Sequence, residues 1–213
     1  MAAKTLPLLF ACVLGLSFAL LGVPTASAIT FNFNIPSGPL GTTQEYNVMG
    51  FTVTARGFSS FFPDTDRLPA GDPDVNLFGK NGGGDENGLG LVNDPTGANE
   101  ISGHSAIRID MGPNLTGPVS FQMNSTTGDE GWVARRFQPP GLDVFDVFGH
   151  DEISHSILFS NFYVFFVPEG SNVLLASITA TPVPGPIVGA GLPGLIAACG
   201  GLLAWWRRRR WTA

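Results

Sequence analysis

Charge is segregated along this chain, and the segregation restricts its fold more than any other feature. All 17 acidic residues lie between Glu45 and Glu169, together with six of the eleven basic ones. The one charge before Glu45 is Lys4, and the charges after Glu169 are Arg207, Arg208, Arg209 and Arg210. The formal charge of −6 therefore divides into +1, then six bases less 17 acids (−11), then +4. A head, an acidic body and a basic tail must be read separately. Acids outnumber bases, so a nucleic-acid partner is excluded. Two cysteines exclude a disulfide scaffold, and a hydrophobic share of 44% is enough for a packed core.

The head, residues 1–28, has the layout of a secretory signal peptide. Lys4 supplies the positive start, and residues 6–21 form an apolar run interrupted by Pro7, Gly15 and Ser17. Pro24 and the small residues Ala26-Ser27-Ala28 then form a cleavage site, with Ala26 and Ala28 at the two small positions. The expectation is export through the Sec machinery and a mature chain beginning at Ile29.

The tail is a different apolar segment. Residues 187–206 contain no charge, and at the helical rise such a run spans about 30 Å, the thickness of a bilayer's hydrocarbon core. Trp205 and Trp206 stand where an interfacial aromatic belt belongs, and the four arginines Arg207, Arg208, Arg209 and Arg210 follow on what becomes the cytoplasmic side. This predicts one transmembrane helix with the body outside. Ala190, Gly194 and Ala198 recur at a spacing that lets another helix approach closely. Cys12 falls in the head and Cys199 in the span, so the body must fold without a disulfide.

The tail as a whole resembles a known signal. Val183-Pro184-Gly185-Pro186, a Gly-rich apolar helix and then Trp-Trp-Arg-Arg-Arg-Arg is similar to the PEP-CTERM sorting signal of diderm bacteria. The likeness covers residues 182–213. Gly185 departs from the usual pattern, which has Glu between the two prolines. The resemblance implies that an exosortase-like membrane protease reads Pro184, Gly185 and Pro186. It also implies that the mature protein reaches the cell surface or an extracellular polysaccharide matrix, in association with exopolysaccharide or biofilm formation. A Pro-x-Pro segment suits such processing, because it is extended and lacks two N–H donors.

The body, residues 29–181, reads as all-β. Ile29, Phe31 and Phe33 alternate with polar residues, as do Phe51, Val53 and Ala55, then Ile107 and Ile109, then Val119, Phe121 and Met123. Val144, Phe145, Val147 and Phe148 form a short apolar run. Residues 157–167 form the most apolar stretch, a candidate for edge pairing if exposed, and residues 173–181 read as the last strand. Many short strands between Gly, Pro and Asn clusters predict a single β-sandwich, jelly-roll-like, with a phenylalanine-rich core. The step Gly88-Leu89-Gly90-Leu91 followed by Glu100-Ile101 also looks similar to a β-sandwich body carried by PEP-CTERM proteins.

Candidate sites in the body are few. Asp72, Asp74, Asp85 and Glu86, with Asp94 and Glu100, crowd two Gly-rich loops and offer hard oxygen ligands suited to Ca²⁺, although the spacing fits no EF-hand and solvated turn chemistry explains it as well. His150-Asp151-Glu152-Ile153-Ser154-His155 has the wrong spacing for a zinc-protease helix. Gly103-His104-Ser105-Ala106-Ile107 lacks the last glycine of a nucleophile elbow. Trp132, beside Arg135 and Arg136, offers one stacking contact for a sugar, although an isolated tryptophan more often belongs to a core. The expectation is therefore an exported, non-enzymatic surface or matrix protein with no required cofactor. The alternatives are a glycan- or calcium-binding module and a secreted polysaccharide-acting enzyme on the same scaffold.

Overall fold

The computed structural model describes residues 27–59, 72–92, 97–126, 130–138 and 143–183, and helical residues 199–202, 204, 205, 207 and 208. Ser27–Val183 forms one compact unit, and a second unit comprises residues 1–26 and 184–213. The first unit is two antiparallel sheets, with strands numbered along the chain. One sheet runs β12 (His155–Ile157), β9 (Leu115–Asn124), β14 (Asn172–Pro182), β6 (Asn87–Leu91), β5 (Leu77–Asn81) and β2 (Gly38–Gly41), with β1 (Ile29–Asn32) and β7 (Ile101–Ser102) also paired to β14. The other runs β11 (Asp143–Gly149), β10 (Trp132–Gln138), β13 (Phe162–Phe166), β8 (Ala106–Met111), β4 (Phe51–Phe58) and β3 (Thr43–Val48). The chain crosses between sheets repeatedly, as at β4–β5, β8–β9, β9–β10 and β13–β14.

Period-two alternation aims one face of each strand inward. Ile29 and Phe31 of β1, Phe121 and Met123 of β9 and Leu175 and Ile178 of β14 meet Val53, Ile107, Trp132 and Phe165 from the facing sheet in one core. Phe121 is its hinge point: its ring lies 5.3 Å edge-on from Trp132 and 5.3 Å from Phe165. Such contacts add about 0.5–1.5 kcal/mol each beyond the area they bury. Trp132 also donates its indole N–H to the Asp151 carbonyl at 3.0 Å. Gly149 on β11 faces the indole, where any Cβ would overlap the ring. Tyr163 is buried, and its hydroxyl accepts from the Ser160 amide at 2.7 Å and donates to the Leu158 carbonyl at 3.0 Å. Burial pushes that phenol up to about 12, against the opposing pull of the Ser160 bond and the Arg136 charge.

The apolar stretch 157–167 is not one strand, and its longest piece is not an edge. Ile157 closes β12 in one sheet, and Phe162–Phe166 forms β13 in the other, between β10 and β8. The unbroken hydrophobicity of Phe162–Phe166 comes from burial on both faces of β13. Tyr163 and Phe165 point into the main core, whereas Val164 and Phe166 join Ala106, Val133 and Phe137 in a second cluster on the outer face. Arg108 and Arg135 rim that cluster, their guanidinium groups 4.7 Å and 5.2 Å from the Phe162 and Phe166 ring centres.

The Tyr46 hydroxyl is buried with no hydrogen-bond partner, and burial holds the phenol above its ordinary range. In urea unfolding, Phe121→Ala should lose about 3–5 kcal/mol, since it removes both inter-sheet ring contacts. Tyr46→Phe should gain about 1 kcal/mol, since it removes an unsatisfied polar group.

Candidate functional site

The best-defined polar arrangement in the body surrounds Lys80 on β5. Gly88 and Gly90 alternate with Leu89 and Leu91 on β6, so the leucines fill the core and the glycines face outward. A Cβ at Gly90 would collide with the backbone of Asn99 and Glu100, and Gly88 has φ +151° and lies against Leu174 and Leu175. The glycines thus let the Asn99–Glu100 segment lie directly on β6, after which Ile101 pairs with Val173 of β14. This close crossing delivers the buried Glu100 carboxylate to Lys80 Nζ at 2.8 Å. Glu86, from the turn joining β5 to β6, closes on the other side of the ammonium. The Ser125 hydroxyl lies 2.8 Å from a Glu100 carboxylate oxygen and 3.2 Å from one of Glu86, and its single proton is shared between them.

One lysine is therefore clamped between two carboxylates. Burial works against the Lys80 charge, but the hydrogen bonds and charges of Glu100 and Glu86 outweigh it and hold the amine above the usual lysine range. The hydrogen bond from Lys80, helped by its charge and by Ser125, holds Glu86 below the usual carboxylate range despite partial burial. An ammonium occupies the position between the two carboxylates, so these ion pairs tie the hairpin to the crossing segment.

The calcium candidates are not brought together. Asp74 accepts hydrogen bonds from the Ser59 amide, at 2.8 Å, and hydroxyl, and these bonds hold it below the usual range. Asp72 and Asp85 are exposed, and Glu86 belongs to Lys80. Among the described residues no three His, Cys, Asp or Glu side chains are arranged to hold a metal ion. Asp94 lies outside the described residues. Trp132 is not a sugar platform: it is 1% exposed, because its position in β10 falls on the inward face. His155 bonds Asp151 at 2.6 Å and packs on Trp132 and Phe121, and Ser105 donates its hydroxyl to the Ser102 carbonyl at 2.5 Å, closing a turn.

Of the sorting residues, Ala26, Pro184, Gly185, Pro186, Trp206, Arg209 and Arg210 lie outside the described residues, as does most of the 187–206 segment. Ala28 is exposed, and Trp205, Arg207 and Arg208 are exposed in helical conformation. No helix among the described residues is long and apolar enough to cross a membrane.

Two surface features were hidden in the sequence. The outward face of the β1–β14–β9–β12 region carries aligned rows of uncharged polar residues. Thr30, Thr179, Ser120 and Ser156 lie side by side across four strands, and Asn32, Ser177 and Gln122 form the next row. The Thr30 and Thr179 hydroxyls bond each other at 2.8 Å. Beside them a cleft of about 460 Å³ is lined by Asn32, Asn34, Asn87, Gln122, Asn124 and Ser177. Asn124 donates to the Asn87 carbonyl at 2.9 Å, which fixes its amide. On the other sheet, Arg135 grips Asp146 of β11 through two bonds of 2.7 and 2.8 Å, at the floor of a cleft of about 350 Å³ that includes Phe148 and His104. The signals were present only as alternating Ser, Thr, Asn and Gln, whose alignment needs the strand register.

In comparisons with known proteins, no family model, curated protein or solved structure matches the chain.

The clamp gives the pH dependence of stability a definite sign. Glu86 is depressed, so its contribution is complete above its ordinary value of 4.5 and is lost as pH falls through its lower folded pKa. Lys80 is raised, so its contribution is complete below 10.5 and is lost as pH rises through its higher folded pKa. Lys80→Met should flatten both limbs of a melting-temperature profile. At neutral pH it should lose about 3–5 kcal/mol, because the buried Glu100 charge loses its ammonium.

Proposed function

We propose that this chain is an exported, non-enzymatic protein of the cell surface or extracellular matrix. It leaves the cytoplasm through the Sec machinery, is held in the inner membrane by residues 187–206 with its body outside, and is handed to an exosortase-like protease at Pro184, Gly185 and Pro186. The observation that carries this reading is where the compact unit stops. Ser27–Val183 begins inside the Ala26-Ser27-Ala28 cleavage signal and ends at the residue before Pro184. Cleavage at both addresses would release the whole sandwich without cutting it. Helical conformation at residues 199–202 suits the anchoring role. The crossings between sheets suit a jelly-roll-like topology, a scaffold common in surface modules. The non-enzymatic part is supported by the engagement of Lys80 with Glu86 and Glu100, and of Arg135 with Asp146, in structural ion pairs.

Cell fractionation with intact-mass measurement tests the route. The mature form should lack residues 1–28 and the tail beyond the Pro184–Pro186 region and should be found outside the inner membrane. Full-length protein that stays in the membrane overturns the processing step.

A second reading, that the sandwich binds an uncharged polysaccharide, is favoured by the aligned hydroxyl and amide face. Neutral donors and acceptors in a fixed array match sugar hydroxyls, and the −11 body repels anionic polymers. Affinity electrophoresis in gels containing neutral or anionic polysaccharides should show retardation only by neutral ones. Asn32→Ala combined with Gln122→Ala should abolish it. Equal mobility in every gel removes this reading and leaves the export route untouched.

A further inference from the structure

The strands that end the two sheets are unequally protected against adding another strand. β12 has three residues. β2 has four, includes Pro39 and slips register between Pro39 and Gly41. β3 presents Thr43, Glu45 and Asn47 at exposed positions. Short length, proline, irregularity and charge are the usual means of blunting an edge.

β11 is longer and regular, and of these means it has only the charges of Asp143 and Asp146. It runs seven residues, Asp-Val-Phe-Asp-Val-Phe-Gly, and pairs with β10 at every one with no register shift. It contains no proline and no lysine, and among the described residues nothing pairs with its other side. Phe148 on this strand is 66% exposed. An open, regular edge that carries an exposed aromatic side chain is a template for another strand.

We propose that β11 is a self-association edge, which pairs antiparallel with β11 of a second copy about a twofold axis at Asp146. The sequence of the strand selects this occupant, because it is nearly a palindrome in character. With Asp146 opposite its own copy, strand register sets position 145 opposite 147, 144 opposite 148 and 143 opposite 149, and the sequence has an apolar residue on both sides of the first two pairs. A slip by one residue sets Asp146 against Val147 or Phe145. The single like-charged contact is the Asp146 pair, and each Asp146 brings its own cation through the two bonds from Arg135. Pairing joins the two six-stranded sheets into one of twelve. Seven residues at about 3.4 Å each give a contact about 24 Å long, less than a standard interface, so association is weak in dilute solution and favoured on a crowded surface. The −11 charge of each body opposes approach at long range, so added salt strengthens it. The inference stands independently of the export route and of polysaccharide binding.

The test uses the full chain carrying Cys12→Ser and Cys199→Ser, so that an introduced cysteine is the only one. Oxidising a mixture of Phe148→Cys and Val144→Cys chains should yield a mixed disulfide dimer, since opposed positions lie within disulfide reach. Each variant alone should form no disulfide-linked dimer. In sedimentation equilibrium the parent should associate more as protein and salt concentrations rise. Phe148→Lys, at an exposed position and so compatible with folding, should weaken this about tenfold or more, and Thr43→Lys on β3 should leave it unchanged. A parent that is monomeric at every concentration and salt level overturns the proposal. So does homodisulfide formation by Phe148→Cys alone that equals the mixed product, or equal effects of the two lysine variants.

Discussion

The contact of Phe121 with Trp132 and Phe165 is the interaction on which the rest of the body depends. These rings belong to β9, β10 and β13, and they are where the two sheets meet. The body has no cysteine to cross-link the layers, so side-chain packing alone must oppose the chain entropy of unfolding. That demand explains several local choices. Gly149 is glycine because the Trp132 ring occupies the space of a side chain, and Asp151 accepts the indole N–H so that the large ring can be buried without an unsatisfied donor.

Once the core is built from aromatics, the remaining polar chemistry is confined to outward faces, and the two sheets use it differently. One sheet carries the Lys80 clamp at its β5–β6 end and a neutral hydroxyl and amide array over β1, β14 and β9. The other carries a second apolar cluster rimmed by arginines that ion-pair with Asp110 and Asp146. The clamp holds the segment leading to β7 down on β6, which keeps the neutral face bounded by a fixed edge. The contrast between a neutral face and an acidic remainder gives the body a chemically directional surface.

The all-β character of the body was legible because its strands alternate cleanly. Phe51-Thr52-Val53-Thr54 and Val119-Ser120-Phe121-Gln122 each place one face inward, and both are strands. β10 was hidden because Arg135 and Arg136 interrupt its pattern. The structure buries both, Arg135 against Asp146 and Phe166 on the outer face and Arg136 beside β13. The stretch 157–167 misled because a strand buried on both faces and a turn between sheets have the same apolar composition. Trp132 lies in the core, the commoner place for an isolated tryptophan, because its position within β10 and not its neighbouring arginines decides which way the ring points. The clamp was half visible: Glu86 and Glu100 stood out as acids, but only the crossing over Gly88 and Gly90 brings them to Lys80. The role of β11 depends on sheet order, which local sequence does not encode.

Native-state hydrogen exchange on the full chain tests most directly whether one aromatic core unites both sheets. The slowest amides should lie on β9, β10, β13 and β14 and should share one opening free energy equal to that of global unfolding. If the sheet containing β9 and β14 exchanges as a unit distinct from the one containing β10 and β13, the shared core is not what holds this body together.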